Sequence, residues 1–211
     1  MFCHMPANPS NQSSRAIELT KRRGIARLSE LMAAGVNQET VARLAREGRI
    51  TRLARGLYQL PGADLQAGHG FAEACKLVPK GVVCLVSALQ FHELTVQLPR
   101  FIWMAIESSA WKPHVAYPPL KFVRFGKAAL SEGVVSRKIE GVTVRVTNPA
   151  CTIADCFRFR SKVGIDVALE GLREVLKRKL CTSDAIMKAA QRRRIWTKLR
   201  PYLEATVDHG G

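Results

Sequence analysis

"NQETVARLAREGRITRLARGLYQLPG", residues 37–62, decides the fold. Asn37 is placed to cap a helix by accepting a bond from a free backbone N–H, and Glu39 falls in the positive first turn. Val41 and Leu44, three residues apart, point to a core, with Ala42 and Ala45 permitting close approach. That leaves Gln38, Thr40, Arg43 and Arg46 on the outside. Gly48 ends the helix. The next run, "RITRLARGLYQL", sets Ile50, Leu53, Leu57 and Leu60 around a tight basic turn at Ala54-Arg55-Gly56. That pattern predicts two short strands joined as a hairpin.

Upstream, residues 15–24 (RAIELTKRRG) predict a short basic helix. Residues 25–35 (IARLSELMAAG) continue helically, with Leu28, Leu31 and Met32 as one apolar stripe and Gly35 as its stop. Two helices joined by a glycine turn and followed by a basic hairpin form a winged helix-turn-helix layout. The second helix of such a unit enters the major groove. In this reading Gln38, Thr40, Arg43 and Arg46 face the bases. Arg49, Arg52 and Arg55 belong to the wing and contact phosphates or the minor groove, and Arg22 and Arg23 anchor the DNA backbone.

The charge agrees. The chain has 211 residues, 33 Lys plus Arg against 17 Asp plus Glu, and a formal net charge of +16. Its pI is near 10.2. Such a chain attracts polyanions, nucleic acid first and an acidic membrane surface second. Residues 15–60 carry 10 basic and 4 acidic side chains, net +6; residues 148–211 carry 13 and 7, again net +6. No single tail supplies the charge, so the folded body is positive. No run approaches the roughly 18–20 apolar residues of a membrane span. The first 14 residues lack the pattern of a secretory signal and read as a disordered leader.

Pro61-Gly62 with the following ADLQAGHG reads as a linker, placing a domain boundary near 62–68. Beyond it, residues 71–79 look helical, VVCLVS (82–87) and FIWMAI (101–106) read as buried strands, and ALQFHEL (88–94) as a helix. KFVRF (121–125) alternates. VVSRKI and VTVRV flank Glu140-Gly141 as a hairpin. From Asn148 the pattern is helical, closing with a last turn near TKLRPYL. The expected fold is α+β: a winged helix-turn-helix over 15–62, then a mixed α+β domain over 68–208 with a helical end.

Little here suggests catalysis. Glu140 is followed by Gly-Val, with no lysine two positions on, so a restriction-type carboxylate–lysine set is missing. Glu174 and Lys177 read as a surface pair. Asp155, in TIADCF, has apolar neighbours and reads as a buried acid bonded to an arginine or to backbone. His92 reads as a packing residue with one satisfied nitrogen. The six cysteines, Cys3, Cys75, Cys84, Cys151, Cys156 and Cys181, do not fall into zinc spacing and read as reduced thiols. There is no G-x-x-x-x-G-K-[ST] and no G-x-G-x-x-G, so no cofactor and no metal is expected. Arg192–Arg194 with Trp196, Lys198 and Arg200, and the turn LKRKL (176–180), read either as phosphate contacts or as solvated faces.

The run from Leu28 to Gly62 closely resembles the N-terminal domain of the AbiEi antitoxin family of bacterial type IV toxin–antitoxin systems. Ala33-Ala34-Gly35, the helix over 37–47, Gly48-Arg49-Ile50 and Arg55-Gly56-Leu57-Tyr58-Gln59-Leu60-Pro61 follow in that family's order. "VSALQFHELT" (86–95) is similar to its S/T-A-L-x-x-H-x-L-T element. "NPACTIADCFRF" (148–159) is similar to its P-x-R-T-l-x-D segment, with Asp155 at the motif acid and Cys151 where an arginine is common. The resemblance implies a cytoplasmic, non-enzymatic transcriptional autorepressor. Such a protein binds double-stranded DNA at inverted repeats in its own promoter. It also opposes a nucleotidyltransferase-like toxin without needing a stable complex, and its C-terminal domain is tied to antitoxicity. A nuclease-like enzyme carrying a DNA-binding module, and an RNA-binding or pure interaction protein, are the competing classes.

Overall fold

The computed structural model describes residues 9–63 and 66–208. It is a mixed α+β structure that divides into two compact units. The first holds the chain up to Leu77 together with Lys138–Thr143; the second holds Val78–Arg137 and Val144 onward. The first unit therefore runs past the expected boundary at 62–68 and takes in a segment far along the chain. Asp64 and Leu65 of the expected linker, and Cys3, His4 and His209, lie outside the described residues.

In the first unit, helix α1 (Pro9–Arg23) is followed by strand β1 (Ile25–Arg27), helix α2 (Leu28–Ala33) and helix α3 (Gln38–Arg46). The hairpin β2 (Thr51–Ala54) and β3 (Leu57–Gln59) comes next, then helix α4 (His69–Leu77). The sheet order is β1-β3-β2, antiparallel throughout, with Ala26 opposite Tyr58 and Tyr58 opposite Arg52. Leu31, Val41, Leu44 and Ile50 close a core with Ala16, Leu19 and Tyr58.

Three expectations are corrected here. Residues 9–14 belong to α1 instead of a disordered leader, and Gln12 and Ser13 are buried; residues 1–8 lie outside the described residues. Gly24, at φ +67, breaks the helix expected to run on from residue 15, and Ile25–Arg27 turn into a strand that pairs with β3. Met32, placed on the apolar stripe by spacing, is half exposed, because α2 is only six residues long and buries only Leu31.

The second unit is built on a five-stranded sheet, order β6-β5-β4-β8-β7. The strands are β4 (Val82–Val83), β5 (Ile102–Glu107), β6 (Leu120–Phe125), β7 (Val134–Ile139) and β8 (Val142–Thr147). The expected strand over 82–87 is two residues long; the chain turns at Leu85 (φ 53) straight into helix α5 (Leu85–Phe91). Helices α6 (Pro149–Arg158), α7 (Arg160–Val163), α8 (Ile165–Lys177), α9 (Ser183–Arg192) and α10 (Trp196–Asp208) make the helical end. The last, expected as one turn, is 13 residues long despite Pro201 inside it. Asn148 caps α6 by accepting from Cys151 N at 2.9 Å, with Pro149 in the first turn, and every residue from Ala150 to Phe157 is buried. This helix is the spine of the unit's core.

Candidate nucleic-acid interface

Helix α3 is held from behind by α1. Gln12 Oε1 accepts from Asn37 N at 3.0 Å and from the Thr40 hydroxyl at 3.2 Å. Asn37 occupies the N-cap position, but its side chain makes no capping bond; Gln12 serves the helix start in its place. Thr40, expected on the outer face, is consequently turned inward and buried. The apolar positions are as the spacing predicts, with Val41 and Leu44 buried.

The remaining expected residues fall into two groups. Arg22, Gln38, Arg46, Arg49 and Arg55 are exposed and have no ion-pair or hydrogen-bond partner among the described residues. Arg52 is exposed on the edge strand β2, and its Nε lies 3.4 Å from Ala54 O. By contrast, Arg43 is tied down: Nη1 donates to Glu47 Oε1 and Nη2 to Ser13 Oγ, both at 2.8 Å. Arg23 pairs with Glu30 at 3.0 Å. Outward positive charge thus collects at the C-terminal end of α3 and on the hairpin, while the middle of α3 is committed to internal bonds.

Glu30 knits the start of α2. It accepts from Arg27 N at 2.8 Å and pairs with Lys76 of α4 at 2.8 Å. Burial pushes its carboxyl up, but the hydrogen bonds from Lys76 and Arg27 and the charges of Lys76 and Arg23 outweigh that and hold it below the usual range. The turn of the hairpin is anchored beside it, Leu28 N donating to Gly56 O at 2.8 Å. So Arg55 projects from a turn whose backbone is fixed.

Residues 138–143 complete the unit through Glu140. Its carboxylate accepts from Gln59 Nε2 at 3.0 Å and Gln66 N at 2.9 Å, and lies 2.8 Å from His69 Nδ1. Burial pushes the neighbouring Glu73 carboxyl up, with Glu140 adding to the effect and His69 opposing it. The backbones meet closely. A Cβ on Gly24 would stand 1.8 Å from Glu140 O, and one on Gly141 would stand 2.6 Å from Arg23 O. No sequence signal joins Gly24 to Gly141.

Helix α1, the hairpin and the two short helices between them fall in the part of the chain that a family model matches. Residues 14–61 match the AbiEi antitoxin family of transcriptional regulators. The AbiEi match spans α1 from Ser14 through the end of β3, so it includes every expected contact residue. No curated protein matches the chain. Among solved structures, the chain is similar to the RV2827C protein from Mycobacterium tuberculosis, with a TM-score of 0.64 and 13% identity, over 93% of this chain and 77% of that one. At that identity the likeness is one of fold.

Outside the AbiEi match, the two further segments singled out in the sequence pack together. His92 Nε2 donates to Thr147 O at 2.7 Å, next to the start of α6, and Thr147 and Thr152 hydroxyls meet at 2.7 Å. Burial pushes the His92 imidazole below its ordinary value, although its bond to Thr147 O opposes this. Asp155 is fully buried and pairs with Arg193 Nε at 3.1 Å. The N–H points off the carboxylate, so the contact is an ion pair and the carboxylate oxygens lack a hydrogen bond. Arg193, one of three consecutive arginines, is thereby an internal group; its Nη2 donates to Ala129 O at 3.2 Å. Among the described residues no three His, Cys, Asp or Glu side chains are grouped to hold a metal, and no helix is long and apolar enough to cross a membrane. Glu174 and Lys177 are 3.6 Å apart on the surface of α8.

Proposed function

We propose that this chain is a sequence-specific DNA-binding autorepressor and the antitoxin of a type IV toxin–antitoxin system. The first unit acts as a winged helix-turn-helix, with α2 and α3 as the helix pair and β2–β3 as the wing. The second unit opposes a nucleotidyltransferase-like toxin in the cytoplasm without a stable complex. The observation that carries this reading is the set of outward arginines without internal partners, Arg46, Arg49 and Arg55, inside the segment that matches a family of transcriptional regulators.

Arg46 and Gln38 are the base-facing candidates in this reading, since Thr40 is buried and Arg43 is engaged. Arg22, Arg49, Arg52 and Arg55 contact phosphates. Four arginines on phosphate give a log–log salt slope of about −3.6, or about 150-fold weaker binding on going from 50 to 200 mM salt. The test is a titration of the pure protein against a duplex from its own upstream region and against a scrambled duplex. Preference for the first by about 10³ or more supports the regulator. Equal binding to both, collapsing together with salt, refutes it.

A further inference from the structure

The helical end holds an open cleft that the DNA-binding reading does not use. Its volume is about 880 Å³, at the upper end of the small-ligand range. Two helices line it. Leu169, Arg173 and Leu176 follow one another at spacings of four and three along one face of α8; Ala205 and Thr206 stand three and four residues beyond Tyr202 on one face of α10. Faces spaced in this way usually close on each other, yet here Tyr202 and the nearby Val207 keep 38% and 49% of their surface exposed.

The polar side of the cleft has one sign. Arg173, Lys177 and Lys179 line it, and among the described side chains no carboxylate does. Lys177 stands 3.6 Å from Glu174, whereas the Arg173 and Lys179 side chains have no ion-pair or hydrogen-bond partner among the described residues. Cations at the C-terminal end of α8 answer the helix dipole, which accounts for Lys177 but not for Arg173, more than a turn earlier. Lys179 is held against its local preference. Helix α8 ends with Leu180 N donating to Val175 O and Lys179 N to Leu176 O, both at 3.0 Å. That closure puts Lys179 in the left-handed region at φ 52, a place glycine fills without strain.

We propose that this cleft binds a soluble anionic amphiphile, its acidic head against Arg173 and Lys179 and its apolar body along Leu169, Leu176 and Tyr202. The cleft is concave and bounded by helices, so it takes a single molecule and not a flat bilayer. Its one aromatic, Tyr202, is already packed on Phe157 at 5.3 Å, so it offers no row of rings for nucleobases. The proposal is independent of DNA binding by the first unit.

The probe is 8-anilinonaphthalene-1-sulfonate, compared with N-phenyl-1-naphthylamine, which lacks the sulfonate. Both are titrated by fluorescence into the full-length protein at pH 7. Saturable one-to-one binding of the sulfonate, tighter than that of the neutral probe, is expected. Lys179→Gly removes the charge and relieves the backbone, so it leaves the melting temperature unchanged or higher. It weakens the sulfonate by about tenfold and leaves the neutral probe unaffected. Ala205→Trp, at an exposed position of the lining, occupies the cleft and abolishes binding of both probes while the protein remains folded. The proposal is overturned if neither variant changes sulfonate binding or if both probes respond alike to Lys179→Gly. Binding to phosphatidylglycerol vesicles without binding to the dispersed probe also overturns it.

Discussion

Asp155→Asn tests how the second unit carries a buried charge. Asp155 is enclosed in α6, with Arg193 Nε 3.1 Å away. Burial lifts its carboxyl from an ordinary value of 3.8 to about 6, although Arg193 and Arg158 both pull the other way. Desolvation therefore exceeds the attraction of the arginines. Between these two pH values the folded chain holds a proton that the unfolded chain has released. Stability is then full below pH 4 and falls as pH rises through 6. A gap of 2.2 units corresponds to about 3 kcal/mol in all, of which about 2 kcal/mol is lost between pH 4.5 and 7. Urea unfolding of the wild type and Asp155→Asn at pH 4.5, 5.5 and 7 isolates this contribution, because the amide does not titrate and the other groups cancel in the difference. The Asn variant should gain about 2 kcal/mol on the wild type over that range. A difference that stays constant, or shrinks, would show that Arg193 holds the carboxylate charged and would refute the reasoning.

Other substitutions separate the parts of the first unit. Arg46→Ala should cost about 1–3 kcal/mol on the preferred duplex and little on a scrambled one, read by competitive titration. Arg55→Ala should weaken every duplex alike and flatten the salt slope by about one; a sequence-dependent loss would contradict its place on the wing. Gln12→Ala removes the acceptor shared by Asn37 N and Thr40, and should lower the stability of the first unit by about 1–2 kcal/mol in denaturant unfolding. An unchanged midpoint would mean that water replaces it. Gly24→Ala combines a left-handed backbone with a Cβ on Glu140 O and should cost about 2–5 kcal/mol, seen as a large fall in melting temperature.

The sequence made α3 and the hairpin legible because their signals are local. Val41 and Leu44 repeat at helical spacing, and Gly56 sits where the turn needs it. What it hid was set by partners far along the chain. Thr40 looks outward by spacing, yet a glutamine 28 residues earlier draws it in. The run from Ile25 carries a helical period, but β3 recruits its first three residues as a strand. Asp155 reads from the sequence as a buried acid bonded to an arginine or to backbone, and it is buried beside an arginine. That its partner is Arg193, from a triplet that reads either as phosphate contacts or as a solvated face, follows from the packing of α6 on α9. The first unit's outer limit was missed for the same reason: Glu140 meets Gln59 and His69 across 81 and 71 positions.

That last contact sets a timetable for synthesis. The ribosome delivers residues up to Leu77 first, but the unit they belong to also needs Lys138–Thr143. At about 5–20 residues per second, the missing piece follows about 3–13 s later. During that interval the nascent chain presents Gly24, Gln59 and His69 to water without the loop that covers them. A first unit assembled in this order closes only once Thr143 has been made, so a chain terminated before Lys138 lacks the segment that completes it.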